Sequence, residues 1–258
     1  MLSISVVGAD LTVKGAVVDQ EDAIFVYERP YEEGDSILIC TDEPCFVVAQ
    51  PEDSISPVVG YLKDTFTLTI PFGEKKISYS PKNFSGESHL MRVRIATDEE
   101  IKRYRNLAYN PIDSHENTGL YPHAYANVET RGEAVFAARN AINGNVCSIS
   151  HGAWPYESWG INRRDDAEIT IDFGRDVVVD RSTVTLRVDF PHDNWWQEAT
   201  LQFSDGSSET LHFQKTGKSQ TQTFSPRTIS SVTFCRMKKD PADPSPFPAL
   251  TQLEIWGA

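Results

Sequence analysis

Three stretches of the chain concentrate side chains of the kind that touch ligands: Tyr121-Pro122-His123-Ala124-Tyr125-Ala126-Asn127, Ser150-His151-Gly152-Ala153-Trp154-Pro155-Tyr156-Glu157-Ser158-Trp159, and Phe190-Pro191-His192-Asp193-Asn194-Trp195-Trp196. Four of the five tryptophans and three of the six histidines fall within them. A sugar ring offers an apolar C–H face and a rim of hydroxyls, so its site pairs an aromatic platform with imidazole, carboxylate, amide and guanidinium groups, often on loops. The expected contact set is His123, His151, Trp154, His192, Asp193, Trp195 and Trp196. Adjacent tryptophans in an extended chain point to opposite faces, so one of Trp195 and Trp196 is expected in the core and the other at the ligand. Trp159 and Trp256 read as core, because large aromatics dominate sandwich interiors.

The same residues admit a reaction. His123 or His192 as base, with Arg131 neutralising a substrate carboxylate, would give a lyase or hydrolase acting on acidic or plant-derived glycans. His192-Asp193 has the composition of an acid/base pair, yet no nucleophile motif or paired carboxylates accompany it. Binding without turnover is therefore the leading expectation, with an enzyme or enzyme subunit second and a protein-interaction scaffold third. Arg131, Arg139, Arg163 and Arg164 are candidates for recognising an acidic sugar, since guanidinium pairs bidentately with carboxylate. Arg163-Arg164-Asp165-Asp166 also reads as a self-neutralising surface turn. The proline-rich run from Lys238 to Pro248 is expected to be a stiffened loop close to the site.

Positioning these loops falls to strands. Period-two or continuous apolar runs recur at 23–27, 36–40, 45–48, 65–70 and 90–95, each bounded by turn residues. Thr97-Asp98-Glu99-Glu100 is a capping-box pattern opening a helix that carries Ile101, Tyr104 and Leu107 and stops before Asn110-Pro111. The polar segment from Asp113 to Gly119 reads as a linker or first loop of a second domain. Strands resume at 169–173, 183–188 and 199–203, and Asp205-Gly206 marks a hairpin into 209–213. Further strands are expected at 229–235 and 250–256, with one short helical stretch at 133–142. The fold class implied is all-β, with two β-sandwich domains at 1–110 and 111–258 and one short connecting helix.

Cys40 and Cys45 flank a turn-like tetrapeptide and are expected to face each other across a hairpin, either bonded or packed. Cys147 and Cys235 have no local motif, and nothing has zinc-finger spacing. The formal net charge of −13 divides into −7 before residue 111 and −6 after it, so neither half carries the basic footprint that nucleic acid or an anionic membrane needs. No apolar run reaches membrane-spanning length. The first residues enter a strand pattern directly, which reads as cytoplasmic, or as extracellular if a leader has been removed.

The second half resembles the discoidin or coagulation-factor C-type modules, which have a galactose-binding-like jelly-roll fold. The resemblance is carried by Ala138-Arg139-Asn140-Ala141-Ile142-Asn143-Gly144-Asn145, Ser158-Trp159-Gly160, Ile169-Thr170-Ile171-Asp172-Phe173-Gly174 with Val177 and Val179, Phe203-Ser204-Asp205-Gly206, and Leu253-Glu254-Ile255-Trp256-Gly257. It spans about residues 120 to 258 and implies a carbohydrate partner for a binding module, with a homo-oligomer or an enzyme partner as further possibilities. It also implies a structural calcium held by the backbone carbonyls of Arg139 and Asn145, the side chain of Asn143 and the carboxylate of Glu254, although Asn143 stands where the family usually has Asp. A turn held by side-chain hydrogen bonds is the alternative at that loop.

Overall fold

Alternation decides the first half of the chain. In β1 (Leu2–Val7) Leu2, Ile4 and Val6 are buried while Ser3 and Ser5 are only half-buried, the period of a strand with one face on a core. It is followed by β2 (Val13–Asp19), β3 (Asp22–Tyr27), β4 (Ser36–Thr41), β5 (Cys45–Gln50), β6 (Val58–Leu62), β7 (Thr65–Thr69) and β8 (His89–Ile95). They form two antiparallel sheets, ordered β2-β1-β4-β7 and β6-β5-β8-β3, around a core that includes Ile4, Ile39, Val47, Phe66 and Met91. β4 and β5 lie in different sheets. The expected Cys40–Cys45 hairpin is therefore a crossing between layers, and both thiols are free. This structure, a computed structural model, describes residues 1–117 and 119–258.

Thr97 caps α1 (Asp98–Lys102) as expected, accepting from the Glu100 N–H while the Glu100 carboxylate accepts the Thr97 N–H at 3.0 Å. The helix is far shorter than the sequence implied. Arg103 is already extended, and β9 (Arg105–Asn106) pairs with the last strand of the chain, where Leu107 N–H donates to Ile255 O at 2.7 Å. Sheet pairing overrides the helical pattern that Tyr104 and Leu107 had suggested.

β10 (Leu120–Tyr121) then adds to β6 of the first sandwich, and β11 (His123–Ala126) to the second. The remaining strands are β12 (Trp159–Gly160), β13 (Ile169–Leu186), β14 (Trp196–Phe203), β15 (Ser208–His212), β16 (Gln220–Lys239) and β17 (Ala249–Gly257). Their order is β12-β17-β13-β16-β14-β15. β13 and β16 are long and lose register between Asp172 and Val177 and again between Val179 and Arg181, the irregularities at which a strand turns a corner of a sandwich. Trp159, Trp196, Leu201, Phe234 and Leu253 fill this second core. The Asp205-Gly206 turn closes β14 onto β15, with Gly206 at φ 87°. The stretch 133–142 forms 3₁₀ turns, Ala134–Phe136 and Ala138–Ile142, instead of one helix.

Asp113 and Asn117, read as linker residues, are buried. Asn117 Nδ2 donates to Asp113 Oδ1 (2.8 Å) and to Leu120 O (2.6 Å), and Asp113 Oδ2 accepts the Ala124 N–H (2.8 Å). Thr118, in the same segment, lies outside the described residues. Among the described residues, no helix is long and apolar enough to cross a membrane.

Candidate functional site

A cleft of about 130 Å³ opens in the second sandwich, and a column of planar side chains lines it. The His151 and His192 rings stack with centroids 4.2 Å apart and planes 7° from parallel. Phe247 continues the column at 5.0 Å and 6° from His192, and the Arg163 guanidinium sits over the Phe247 ring at 4.7 Å. Each comes from a different loop: His151 before β12, Arg163 after it, His192 between β13 and β14, and Phe247 between β16 and β17. With the ring faces engaged against one another, the polar edges of imidazole and guanidinium are what the column offers to a ligand. Arg131 lies in the same wall, bound bidentately to Glu133.

One buried ion pair holds the loops together. Arg187, just past β13, donates through Nε to Asp193 Oδ2 (2.8 Å) and through Nη2 to Asp193 Oδ1 (2.6 Å), and both side chains are buried. Isolated charges would be expensive here, but the remaining polar atoms are used. Arg187 reaches Ser158 Oγ (3.3 Å) and Phe247 O (3.2 Å), while Asp193 accepts the Asp189 N–H (2.9 Å) and faces His192 Nδ1 (3.0 Å). Asp193, expected at the ligand, is thus a support for His192. His151 Nδ1 is hydrogen-bonded to the Asp189 carboxylate, so both imidazoles are oriented through Nδ1, leaving Nε2 for other contacts.

The proline-rich loop is pinned by Asn194, whose Nδ2 donates to the carbonyls of Asp240, Asp243 and Ser245 at 2.9–3.2 Å. The Ser245 hydroxyl donates to His192 O. The loop thus lies beside the site, as the sequence implied, and contributes Phe247, which the sequence reading did not single out. Its signal was an aromatic flanked by Pro246 and Pro248. Arg164 pairs with Asp166 as the self-neutralising turn required, but its neighbour Arg163 turns to Phe247.

Other expected site residues are dispersed. His123 is mostly buried on β11, its Nδ1 2.9 Å from Asp113 Oδ1. Burial pulls its pKa down, but the Asp113 hydrogen bond and charge outweigh this and hold it above the ordinary histidine value. It does not line the cleft, whereas His192, the other expected base, lines it together with Arg131. Trp196 is fully buried, edge-on to Phe234 at 5.8 Å. Trp195 is half-buried and donates its indole N–H to Asp240 (3.0 Å). The alternation argument holds, yet neither indole joins the cleft. Trp154 is exposed and lines a separate cleft between the two sandwiches.

No family model matches the chain, and no curated protein sequence matches it. Solved structures similar to it include carbohydrate-binding modules. Chitosan-binding module 1 of a chitosanase/glucanase from Paenibacillus sp. IK-5 is 21% identical, with a TM-score of 0.41, covering 59% of this chain and 99% of its own. A family 32 module from C. perfringens, in complex with galactose, is 18% identical with a TM-score of 0.38, covering 52% and 91%. A fucose-binding module from Streptococcus pneumoniae is 11% identical with a TM-score of 0.44, covering 60% and 98%.

The loop expected to hold calcium is arranged as a hydrogen-bonded turn. Asn143 Oδ1 accepts the Asn145 N–H (2.8 Å), and Asn145 Oδ1 accepts the Cys147 N–H (3.2 Å). Both amide NH₂ groups donate to Glu157 Oε1 at 3.0 Å. Glu254 accepts the Trp256 indole N–H at 2.8 Å. Of the oxygens expected at calcium, Asn143 Oδ1 and the Glu254 carboxylate are thus each engaged in a hydrogen bond. Among the described residues, His151, Asp189 and His192 are a second metal-capable group, their ligand atoms within 4.8 Å of one another. A shared ion would have to lie in both imidazole planes, which the parallel stack does not allow until one ring turns.

Proposed function

We propose that the second sandwich binds a saccharide unit in the cleft of His151, His192, Phe247 and Arg163, and does so without turnover. The observation that carries this reading is the stacked column itself: two imidazoles, a phenyl ring and a guanidinium from four loops, braced from behind by the buried Arg187–Asp193 pair, with the polar edges on a concave surface. Hydroxyl groups of a sugar suit imidazole Nε2 and guanidinium N–H edges, and the half-exposed His151 offers an outer face to the C–H surface. Turnover would need an acid and a base free to exchange protons across the bond being broken. Asp193 is committed to Arg187, and His123 lies outside the cleft.

A glycan array on the full chain, followed by calorimetric titration of each hit, tests the reading. The pair of changes His192→Ala and Arg163→Ala should weaken binding at least about tenfold, the scale of one or two lost hydrogen bonds to a charged or polar group, while long incubation yields no new reducing ends or unsaturated products. Unchanged affinity in that variant overturns the site, and product formation overturns the absence of turnover.

A further inference from the structure

The cleft of the stacked column has a wall of one sign. Three arginines, Arg131, Arg163 and Arg187, and two histidines line it, and among the described residues none of the lining side chains is a carboxylate. The chain as a whole leans the other way, with 37 acidic residues against 24 lysines and arginines. The acids that serve the site stand outside its lining: Glu133 on Arg131, Asp193 on Arg187 and His192, and Asp189 on His151. Arg131 and Arg187 lie over the same Phe136 ring, at 5.8 and 5.7 Å, and each is neutralised by its own carboxylate. Arg163 is not. The two acids that follow it in the chain are taken, Asp166 by Arg164 at 2.6 Å and Asp165 by Lys239 at 2.7 Å. Among the described residues no carboxylate pairs with Arg163, whose exposed guanidinium rests on Phe247. Asn162 and Arg163 take φ values of 48° and 64°, the left-handed region that is costly for a residue with a Cβ. The Asn162 N–H is tied to Thr130 Oγ1 at 3.0 Å, so the turn presents Arg163 to the cleft with its charge uncompensated.

From this arrangement we infer that the saccharide bound in the cleft is an acidic one, whose anionic substituent, a carboxylate or a sulfate ester, pairs with Arg163. The inference rests on the reading of the cleft as a saccharide site and narrows it. A neutral sugar's hydroxyls donate as readily as they accept, and carboxylates in the wall would serve the donors; this wall keeps its carboxylates behind it and presents guanidinium, which only donates. An anionic substituent only accepts, and it makes the stronger, charge-assisted bond. An ammonium sugar would meet Arg163 with no lining carboxylate to answer it. The net charge of −13 opposes an anion at a distance, but a screening length of about 8 Å at physiological salt confines that repulsion, and contact with Arg163 decides.

The test titrates the full chain with D-glucose, D-galactose, D-glucuronate, D-galacturonate and the 6-sulfates of the two neutral sugars, at about 0.15 M salt, followed by ligand-observed NMR. At least one acid should bind about fivefold or more tighter than its neutral parent, the scale of one charge-assisted hydrogen bond at an exposed site. Arg163→Gln, which keeps N–H donors and removes the charge, should bring that acid to within about twofold of its parent, while Arg163→Lys should keep a preference. Arg163 is exposed, so neither variant removes a buried side chain. A preference shown by the uronates alone identifies the carboxylate, by the 6-sulfates alone the sulfate ester, and by both the charge itself. Parents that bind as tightly as their acids overturn the inference and leave the cleft a saccharide site. A preference that survives Arg163→Gln overturns it too, because another group then reads the charge. So does the absence of binding by all of these sugars, in which case the glycan array decides separately whether the cleft takes a saccharide at all.

Discussion

At the scale of single residues, the load falls on buried polar pairs. Removing Arg187 would leave the Asp193 carboxylate buried and unpaired, so Arg187→Met should cost about 3–5 kcal/mol, and Asp193→Asn in the same chain should recover part of it; urea unfolding in a double-mutant cycle measures both. Trp196→Ala should cost a similar 3–5 kcal/mol through the cavity it leaves, and Trp195→Ala clearly less. In the first sandwich, Glu52 and His89 are both buried and 3.1 Å apart. The contact has the distance of a salt bridge, yet burial raises Glu52 to about 8 and pulls His89 down, so the pair is neutral. The folded state then holds a proton on Glu52 that the unfolded chain has released. Stability from this group is complete below about 4.5, its ordinary value, and is lost as pH rises through 8. His89 acts in the opposite sense, contributing above its ordinary value of 6.5 and less as pH falls. Between 6.5 and 8 Glu52 is the member of this pair that titrates and should take away on the order of 1–2 kcal/mol, while His115 and His123, held above the ordinary histidine value, lose stability in the same direction; Glu52→Gln should therefore make the decline shallower by about that amount in a series of melts across that range.

Elements were legible where a local pattern and the sheet agreed. The capping box of α1 was readable because Thr97 and Glu100 satisfy each other within one turn, and Thr97→Ala should cost about 1 kcal/mol, measurable as a shift in urea midpoint. Its end was not readable, because Leu107 bonds to Ile255, almost 150 residues away, and no window around Leu107 contains that information. The Asp205-Gly206 hairpin was legible for the same reason that α1 began correctly. β4 and β5 were legible as strands but their pairing was not, since both strands alternate properly and only three-dimensional packing decides whether consecutive strands share a sheet or face each other across a core. The site followed the same rule. The loops rich in His and Trp did include His151 and His192, and Arg163 was among the candidate guanidiniums, but Phe247 and the Arg187 brace reach the cleft only through β13, β16 and β17. Composition could mark a ligand loop; it could not say which tryptophan the core would claim.

At the scale of the whole molecule, the two sandwiches are interleaved. Arg105 to Ala108 belong to the second core and sheet, Ile112 and Leu120 return to the first core, and His123 begins the second again. Gly60 on β6 admits Leu120, since a Cβ there would fall 2.6 Å from its Cδ1, and Asp113 ties the crossing to β11 through the Ala124 N–H. A cut at 110/111 would strip β9 and Leu107 from β17 and leave Ile112 and Leu120 without the core they fill, so neither half keeps its own surface covered. Calorimetry of the whole chain should accordingly show one unfolding transition. The fragment 111–258 should melt well below it, and adding back residues 103–110 should restore part of the difference by returning β9 to β17. Two separate transitions in the intact chain, or a fragment 111–258 as stable as the whole, would mean that the crossings add contacts without coupling the sandwiches.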